Sequence, residues 1–343
     1  MKIDSSDAIN AVKEIILIMK DQHKIPCISV VMAIYKEPLE WIRQSIDSIL
    51  NQTFSNFEFI IVNDNPARGE NREILSEYSS KDSRIVVISN KVNIGLTRSL
   101  NKGLRIAKGE FIARMDADDI ALSERFDIQY NTLISSGSEV CWSAFAIIDA
   151  NGKTVTQYKN NPNLSQLVVY NIIAHPTVLF KRNLLSLRQT FYNESFKRAQ
   201  DYELWAFLNS KGVRFINNPT VILLYRQSSS QVTSLNQVEQ LSSFREMRQK
   251  YIANILSEIG VRFNNSNLLE TIKTLELIIK NSSAVDQRLL NIRYLLYINL
   301  ASIKPKYMLQ YLLRHRFYAD IKYHKRIIVL SALKFKQYPL FEL

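Results

Sequence analysis

Residues 93–120 read NIGLTRSLNKGLRIAKGEFIARMDADDI, a stretch that holds a helix, a strand and an acidic turn in that order. Leu96, Leu100, Leu104 and Ala107 recur at spacings of three and four, which predicts an amphipathic helix over 93–109 with Gly109 as its stop. The run EFIARM behind it is short and apolar, as a strand buried on both faces should be. Its end carries Asp116, Asp118 and Asp119 within four positions. One Asp is enough to cap the next helical run, SERFDIQYNTLI, so three carboxylates ask for a second explanation.

The same alternation extends upstream. ISVVMAI (28–34) is a buried strand, followed by a helix with Pro38 in its first turn and a stripe of Leu39, Ile42, Ser45, Ile46, Ile49 and Leu50. FEFIIV (57–62) is a second strand that ends in the polar turn NDNPARG. A helix around Arg72–Tyr78 then leads to a third strand, RIVVIS (84–89). Strands and helices alternating at this spacing form βαβ units, so the fold class is α/β with a mostly parallel sheet. Ligands of such sheets collect beyond the carboxyl ends of the strands, and here three ends carry AIYKE, VNDNP and DADD.

Downstream the pattern changes. EVCWSAFAIID and KTVTQY flank Asn151-Gly152, a hairpin signal that predicts antiparallel strands extending the sheet. There follow a short helix over Leu164–Asn171, the segment AHPTVLFKR and the helix AQDYELWAFLNSKG stopped by Gly212. A strand pair, VRFIN and TVILLYR, closes this part of the chain. Beyond about Thr233 the sequence is helical and basic. Three regions result: an N-terminal helical segment 1–24, an α/β domain 25–233 and a basic helical region 234–343.

Composition bounds the class. With 46% hydrophobic and 22% charged residues in 343, the chain is globular, neither disordered nor fibrous. The net charge of +12 is uneven: Leu241–Leu343 contains 17 Lys and Arg against 7 Asp and Glu, so the first two thirds are close to neutral. Cys27 and Cys141 each lie beside an apolar run and are expected as buried thiols of a reducing compartment. Lys13, Glu14, Lys20 and Asp21 break up any signal peptide, and no window approaches the roughly 20 apolar residues of a membrane span. A cytoplasmic protein, soluble or peripheral on the inner face of the cell membrane, is the expectation.

Each polar strand end has a plain reading beside a functional one. Side chains two apart on an extended segment share a face, so Asp116 and Asp118 can converge while Asp119 turns toward the next helix as its cap. Convergent carboxylates repel unless something positive lies between them, and an oxygen-preferring ion such as Mg²⁺ or Mn²⁺ meets that need. Asp64 belongs either to turn chemistry or to recognition of a pyrimidine N–H. Asp201, at a helix start, is a cap or the carboxylate that takes a proton from an acceptor hydroxyl. His175, before Pro176, is a packed side chain or an acceptor contact. No GxGxxG follows the first strand and no GxxxxGK[ST] occurs, which removes dinucleotide and P-loop binding.

Taken in order, SVVMAIYKE, SIDSILNQTFSNFEFIIVNDNP, NIGLTRSLNKGLRIAKGEFIARMDADDI, HPTVLF and QDYELW resemble the family 2 glycosyltransferases over roughly residues 26–232. The resemblance implies the GT-A fold, a Rossmann-like central sheet flanked by helices, here with a C-terminal helical extension. It implies an inverting, metal-assisted transfer from a nucleotide-diphosphate sugar of the UDP class to a saccharide or lipid-linked saccharide acceptor, in the context of bacterial surface polysaccharide assembly. Carried over by position, Ala33, Tyr35 and Glu37 border the nucleotide, Asp64 reads uracil, and Asn93 and Arg98 edge the diphosphate-sugar site. Asp116 lies near ribose and sugar, Asp118 is the metal ligand and Asp201 is the catalytic base. Asn63-Asp64-Asn65-Pro66 replaces the family's usual Asp-Asp-Gly-Ser, Gln200-Asp201 its Glu-Asp, and Ser228 stands where many members have a histidine, with Arg226 beside it for phosphate.

The basic tail, with Arg314, Arg316, Lys322, Lys325, Arg326, Lys334 and Lys336 among apolar residues, is either a helical cap with a solvated face or a surface for anionic membrane. No nucleic-acid module accompanies the charge, so nucleic acid is not an expected partner. A non-catalytic nucleotide-sugar-binding protein is the rival function, opposed by the presence of Asp64, Asp116, Asp118 and Asp201 together. A nucleotidyltransferase would carry a Gly-rich basic loop after the first strand, and YKEPLEW is not one.

Overall fold

A computed structural model describes residues 25–158, 162–196, 198–227, 237–263, 268–282 and 286–303. The N-terminal segment, Ser228 and the basic tail residues from Arg314 to Lys336 lie outside them. The described residues fall into two units: one carries the sheet and its helices, the other joins Pro162–Ile172 to the helices from Gln237 onward.

In the first unit β1 (Ile28–Ile34), β2 (Phe57–Asn63), β3 (Ile85–Ser89) and β4 (Phe111–Arg114) run parallel in the order β3-β2-β1-β4. β1 and β2 are buried on both faces, which is why their sequences are unbroken apolar runs rather than alternations. The helices α1 (Leu39–Leu50), α2 (Gly69–Lys81) and α3 (Leu96–Ile106) make the crossovers. The chain builds outward from β1 first on one side and then on the other, so β1 and β4 flank a topological switch point. Ile34, Asn63 and Ser89 share one register level, which brings the polar ends of β1, β2 and β3 to one edge.

Beyond β4 the sheet turns mixed. β8 (Leu179–Lys181) is antiparallel to β4, β6 (Val140–Ile148) is antiparallel to β8, and β9 (Phe215–Arg226) is parallel to β6. The two-residue β5 (Ile120–Ala121) pairs with β9, and β7 (Thr154–Tyr158) pairs with β6 through the hairpin expected at Asn151-Gly152. The helices α4 (Arg125–Ser136) and α5 (Gln200–Ser210) complete this unit.

Two local expectations change. VRFIN and TVILLYR are one strand, β9: Ser143 pairs with Asn218 and Ala144 with Val221, so Pro219 and Thr220 form a bulge that a pairing strand absorbs. Gly109 does not stop the helix, which ends at Ile106. It is a close-approach glycine, because a Cβ there would sit 2.5 Å from the Ser29 backbone nitrogen.

The second unit contains α6 (Gln237–Glu258), α7 (Leu268–Asn281) and α8 (Gln287–Ile303), with Asn291 Nδ2 donating to the Ser165 carbonyl at 3.0 Å. The predicted helix at Leu164–Asn171 is a 3₁₀ turn over Leu164–Val168. Among the described residues no helix is long and apolar enough to cross a membrane.

Candidate active site

The acidic stretch leaves β4 as a turn rather than as extended chain, with the Asp119 N–H directed at the Asp116 carbonyl. This turn gathers the carboxylates of Asp116, Asp118 and Asp119 so that one oxygen of each lies within 4.8 Å of the others. Convergence therefore comes from the turn and not from alternation along a strand.

Elements far apart in sequence hold this turn. From α1, Ser45 Oγ donates to the Asp116 carbonyl at 2.9 Å and Ser48 Oγ accepts the Ala121 N–H at 3.0 Å. Ser45 fell in the apolar stripe by spacing, and its burial is tolerable because this hydroxyl is bonded. From β9, the Arg226 N–H donates to Asp119 Oδ1 and its Nε to the Asp118 carbonyl, both at 2.8 Å.

Electrostatics set the three acids apart. Arg114, the last residue of β4, is buried and forms an ion pair with Asp116. Its Nε and Nη1 have no hydrogen-bond partner among the described residues. Asp119 is fully buried, and burial together with Asp118 and Asp116 holds its carboxyl well above the usual carboxylate range. It does not cap α4: Glu124 occupies the cap position with no side-chain bond there, while Asp119 is occupied by Arg226. Glu37 extends the acidic field. Burial raises its carboxyl despite the Tyr35 N–H bond, and Asp118 and Asp116 add to the rise.

The buried Arg125 donates to the Arg114 carbonyl at 2.7 Å, and burial plus Arg114 brings its guanidinium down to about 9. Arg125 carries no signal of this role in the sequence, whereas Arg114 stands out as the one charge in the otherwise apolar β4.

Asp64 is built differently. It is 3% exposed, and its carboxylate accepts Asn90 Nδ2 and the Ile94 N–H, each at 2.8 Å, and the Gly95 N–H at 2.9 Å. It thereby pins the turn that enters α3, where Gly95 adopts φ 86. Ala33 is half-buried at the end of β1, and Tyr35 is exposed just beyond. Asn93 is exposed on the turn that Asp64 fixes, and Arg98 on α3 pairs with Glu194 at 3.3 Å.

Asp201 is half-buried in the first turn of α5. Two residues earlier Ala199 has φ 55, the only positive φ among described non-glycine residues, at a cost of about 1–2 kcal/mol. Such strain persists where surrounding structure demands it. Here Arg188 forks onto Glu203 at 2.7 and 2.8 Å, and Asn101 of α3 pairs with both the N–H and the carbonyl of Tyr192. Burial raises the Tyr192 phenol, Arg114 opposes the rise, and Asp201 and Asp116 both add to it.

Two expectations are corrected. His175 is not presented to an acceptor: it is buried, its Nε2 lies 2.7 Å from the Tyr192 hydroxyl, and it packs edge-on against Tyr192 and Trp205. Burial and then Arg114 push its imidazole well below the ordinary value, so it is neutral at pH 7. Arg226 is not presented to phosphate either. It is 1% exposed, and its guanidinium is spent on protein carbonyls and Gln44.

The residues fit a divalent cation. The donor set is all carboxylate oxygen, and Asp119 Oδ2 is buried with no hydrogen-bond partner among the described residues. Cys27 and Cys141 are unbridged and do not belong to the site.

Residues 29–204, just over half of the chain, match the family profile described as glycosyl transferase family 2. The chain belongs to that family. The O-antigen biosynthesis glycosyltransferase WbnJ of Escherichia coli is 33% identical over 240 residues, which cover 67% of this chain and 92% of WbnJ. A second E. coli family relative, the UDP-Glc:alpha-D-GlcNAc-diphosphoundecaprenol beta-1,3-glucosyltransferase WfgD, is 28% identical over 69% of this chain and 91% of its own. Among solved structures, S. aureus TarS 1–349 in complex with UDP-GlcNAc superposes with a TM-score of 0.55 at 18% identity, over 85% of this chain and 93% of TarS, and shares the fold. The mostly parallel sheet with its helices and helical C-terminal region is thus a GT-A glycosyltransferase fold.

Proposed function

We propose that this glycosyltransferase moves a sugar from a nucleotide-diphosphate sugar, of the UDP class, to a hydroxyl of a saccharide or lipid-linked saccharide, with inversion at the anomeric carbon. The observation that carries the reading is the three-carboxylate turn at the switch point of a family 2 glycosyltransferase sheet. WfgD's name specifies a UDP-sugar donor and a diphospholipid-linked acceptor, which supports the same chemistry here.

Asp118, with Asp116 and Asp119 beside it, would hold Mg²⁺ or Mn²⁺. Such an ion, when bound, neutralises charge on a departing nucleoside diphosphate. Ala33, Tyr35 and Glu37 border the nucleotide, and Asp64 places its loop and offers a carboxylate edge to the base. Asn93 and Arg98 lie beside the diphosphate. Asp116, held by Arg114, orients the donor sugar. Asp201 accepts the proton of the acceptor hydroxyl as that oxygen attacks the face opposite the leaving group, and a single displacement inverts configuration.

The test is a screen of nucleotide sugars with the unmodified chain and Asp201→Asn, following sugar transfer and, separately, donor binding. Asp201→Asn is expected to lower turnover about 10²–10⁴-fold with donor affinity retained. Normal turnover in that variant would sink the proposed base.

A further inference from the structure

We infer that Arg226 is a positioning residue for the Asp116–Asp119 turn, fixing where Asp118 presents its carboxylate to the divalent cation; the inference rests on the metal reading above. Arg226 ends β9, some 107 positions after Asp119, yet it touches the turn twice, through its backbone N–H to Asp119 Oδ1 and through Nε to the Asp118 carbonyl. The rest of its guanidinium ties the turn to two other segments. Nη1 donates to the Asp149 and Ala150 carbonyls of the β6–β7 connection at 3.3 and 3.1 Å, and Nη2 donates to Gln44 of α1 at 2.6 Å. The plane lies over the Trp41 ring, 4.9 Å from its centroid.

A planar fork can satisfy all of these acceptors together, and a lysine cannot. The strand pairing reinforces the same placement, since Ile120 and Ala121 pair with Leu224 and Leu223 just before Arg226. The acidic turn is therefore clasped between the α1 hydroxyls and this arginine. Groups that orient a metal ligand from behind typically change metal affinity 10–100-fold when removed.

The experiment measures Mn²⁺ binding to the full chain by the electron paramagnetic resonance signal of free Mn²⁺, and UDP binding in EDTA by calorimetry, with thermal unfolding as the folding check. Arg226→Gln is expected to bind Mn²⁺ 10–100-fold more weakly with UDP affinity in EDTA unchanged, and Arg226→Lys to recover only part of the loss. Gln44→Ala, which removes one tether from a half-buried helix position, is expected to give a smaller loss in the same direction, and it decides the matter if Arg226→Gln fails to fold. Unaltered Mn²⁺ binding in these variants would overturn the inference, as would a fall in UDP affinity with Mn²⁺ binding intact, the mark of a phosphate contact. Absence of Mn²⁺ binding by the unmodified chain would remove the metal reading and this inference with it.

Discussion

Two carboxylate corners lie beyond β2 and β4, on either side of β1, and they are built in opposite ways. Asp64 faces three N–H donors, so its charge is matched by hydrogen bonds within the protein. The corner after β4 crowds Asp116, Asp118 and Asp119 together, with the buried Arg114 paired with Asp116 and the Arg226 guanidinium bonded to the Asp118 carbonyl. A corner satisfied by the protein can act as scaffold in every state. Three crowded carboxylates repel one another, and a cation between them relieves that repulsion.

The largest effect is expected at Arg114. Arg114→Met leaves Asp116 with no buried counter-charge and is expected to destabilise the chain by about 3 kcal/mol in urea denaturation, at the lower end for such pairs because Asp116 keeps 29% of its side-chain exposure. A change below about 1 kcal/mol would mean that solvent already balances the turn. Asp64→Ala should cost about 2 kcal/mol by stranding the Asn90, Ile94 and Gly95 donors, with the loss independent of added metal.

Arg114 also acts beyond the acids. His175 is held neutral by burial and by that guanidinium, so its folded-state pKa lies below the unfolded value of about 6.5. Stability contributed by this group is present above about pH 6.5 and is lost as pH falls, at up to about 1.4 kcal/mol per pH unit. Urea denaturation of His175→Gln between pH 7 and 5 should show a shallower decline than the unmodified chain. The smallest effect carries the opposite sign to the Asp64 result. Asp118→Asn in EDTA should leave stability unchanged or raise it by about 0.5 kcal/mol, because it removes repulsion, and Mn²⁺ should raise the melting temperature of the unmodified chain alone.

The parallel half of the sheet was legible for a physical reason: strands buried on both faces must be apolar throughout, and ISVVMAI and FEFIIV meet that condition without any partner being known. The hairpin at Asn151-Gly152 was legible because turn chemistry is local. β9 was misread as a pair, since a bulge at Pro219-Thr220 looks like a turn until β6 is beside it. Gly109 was misread as a helix stop because its need for closeness comes from Ser29, 80 residues earlier. At the site, the acids stood out by their density. His175 and Arg226 carried no sign of their burial, and Ser45 gave no sign of its bond to the Asp116 carbonyl.

By itself, then, the order of apolar runs, glycines and acids determined an α/β sheet with carboxylates at its strand ends, because periodicity and turn propensity are properties of neighbours along the chain. Only the tertiary structure decided which charges meet. Arg226 meets Asp119 from 107 residues away and Tyr192 meets Asn101 from 91, and the difference between the satisfied corner and the strained one exists only once such pairings are made.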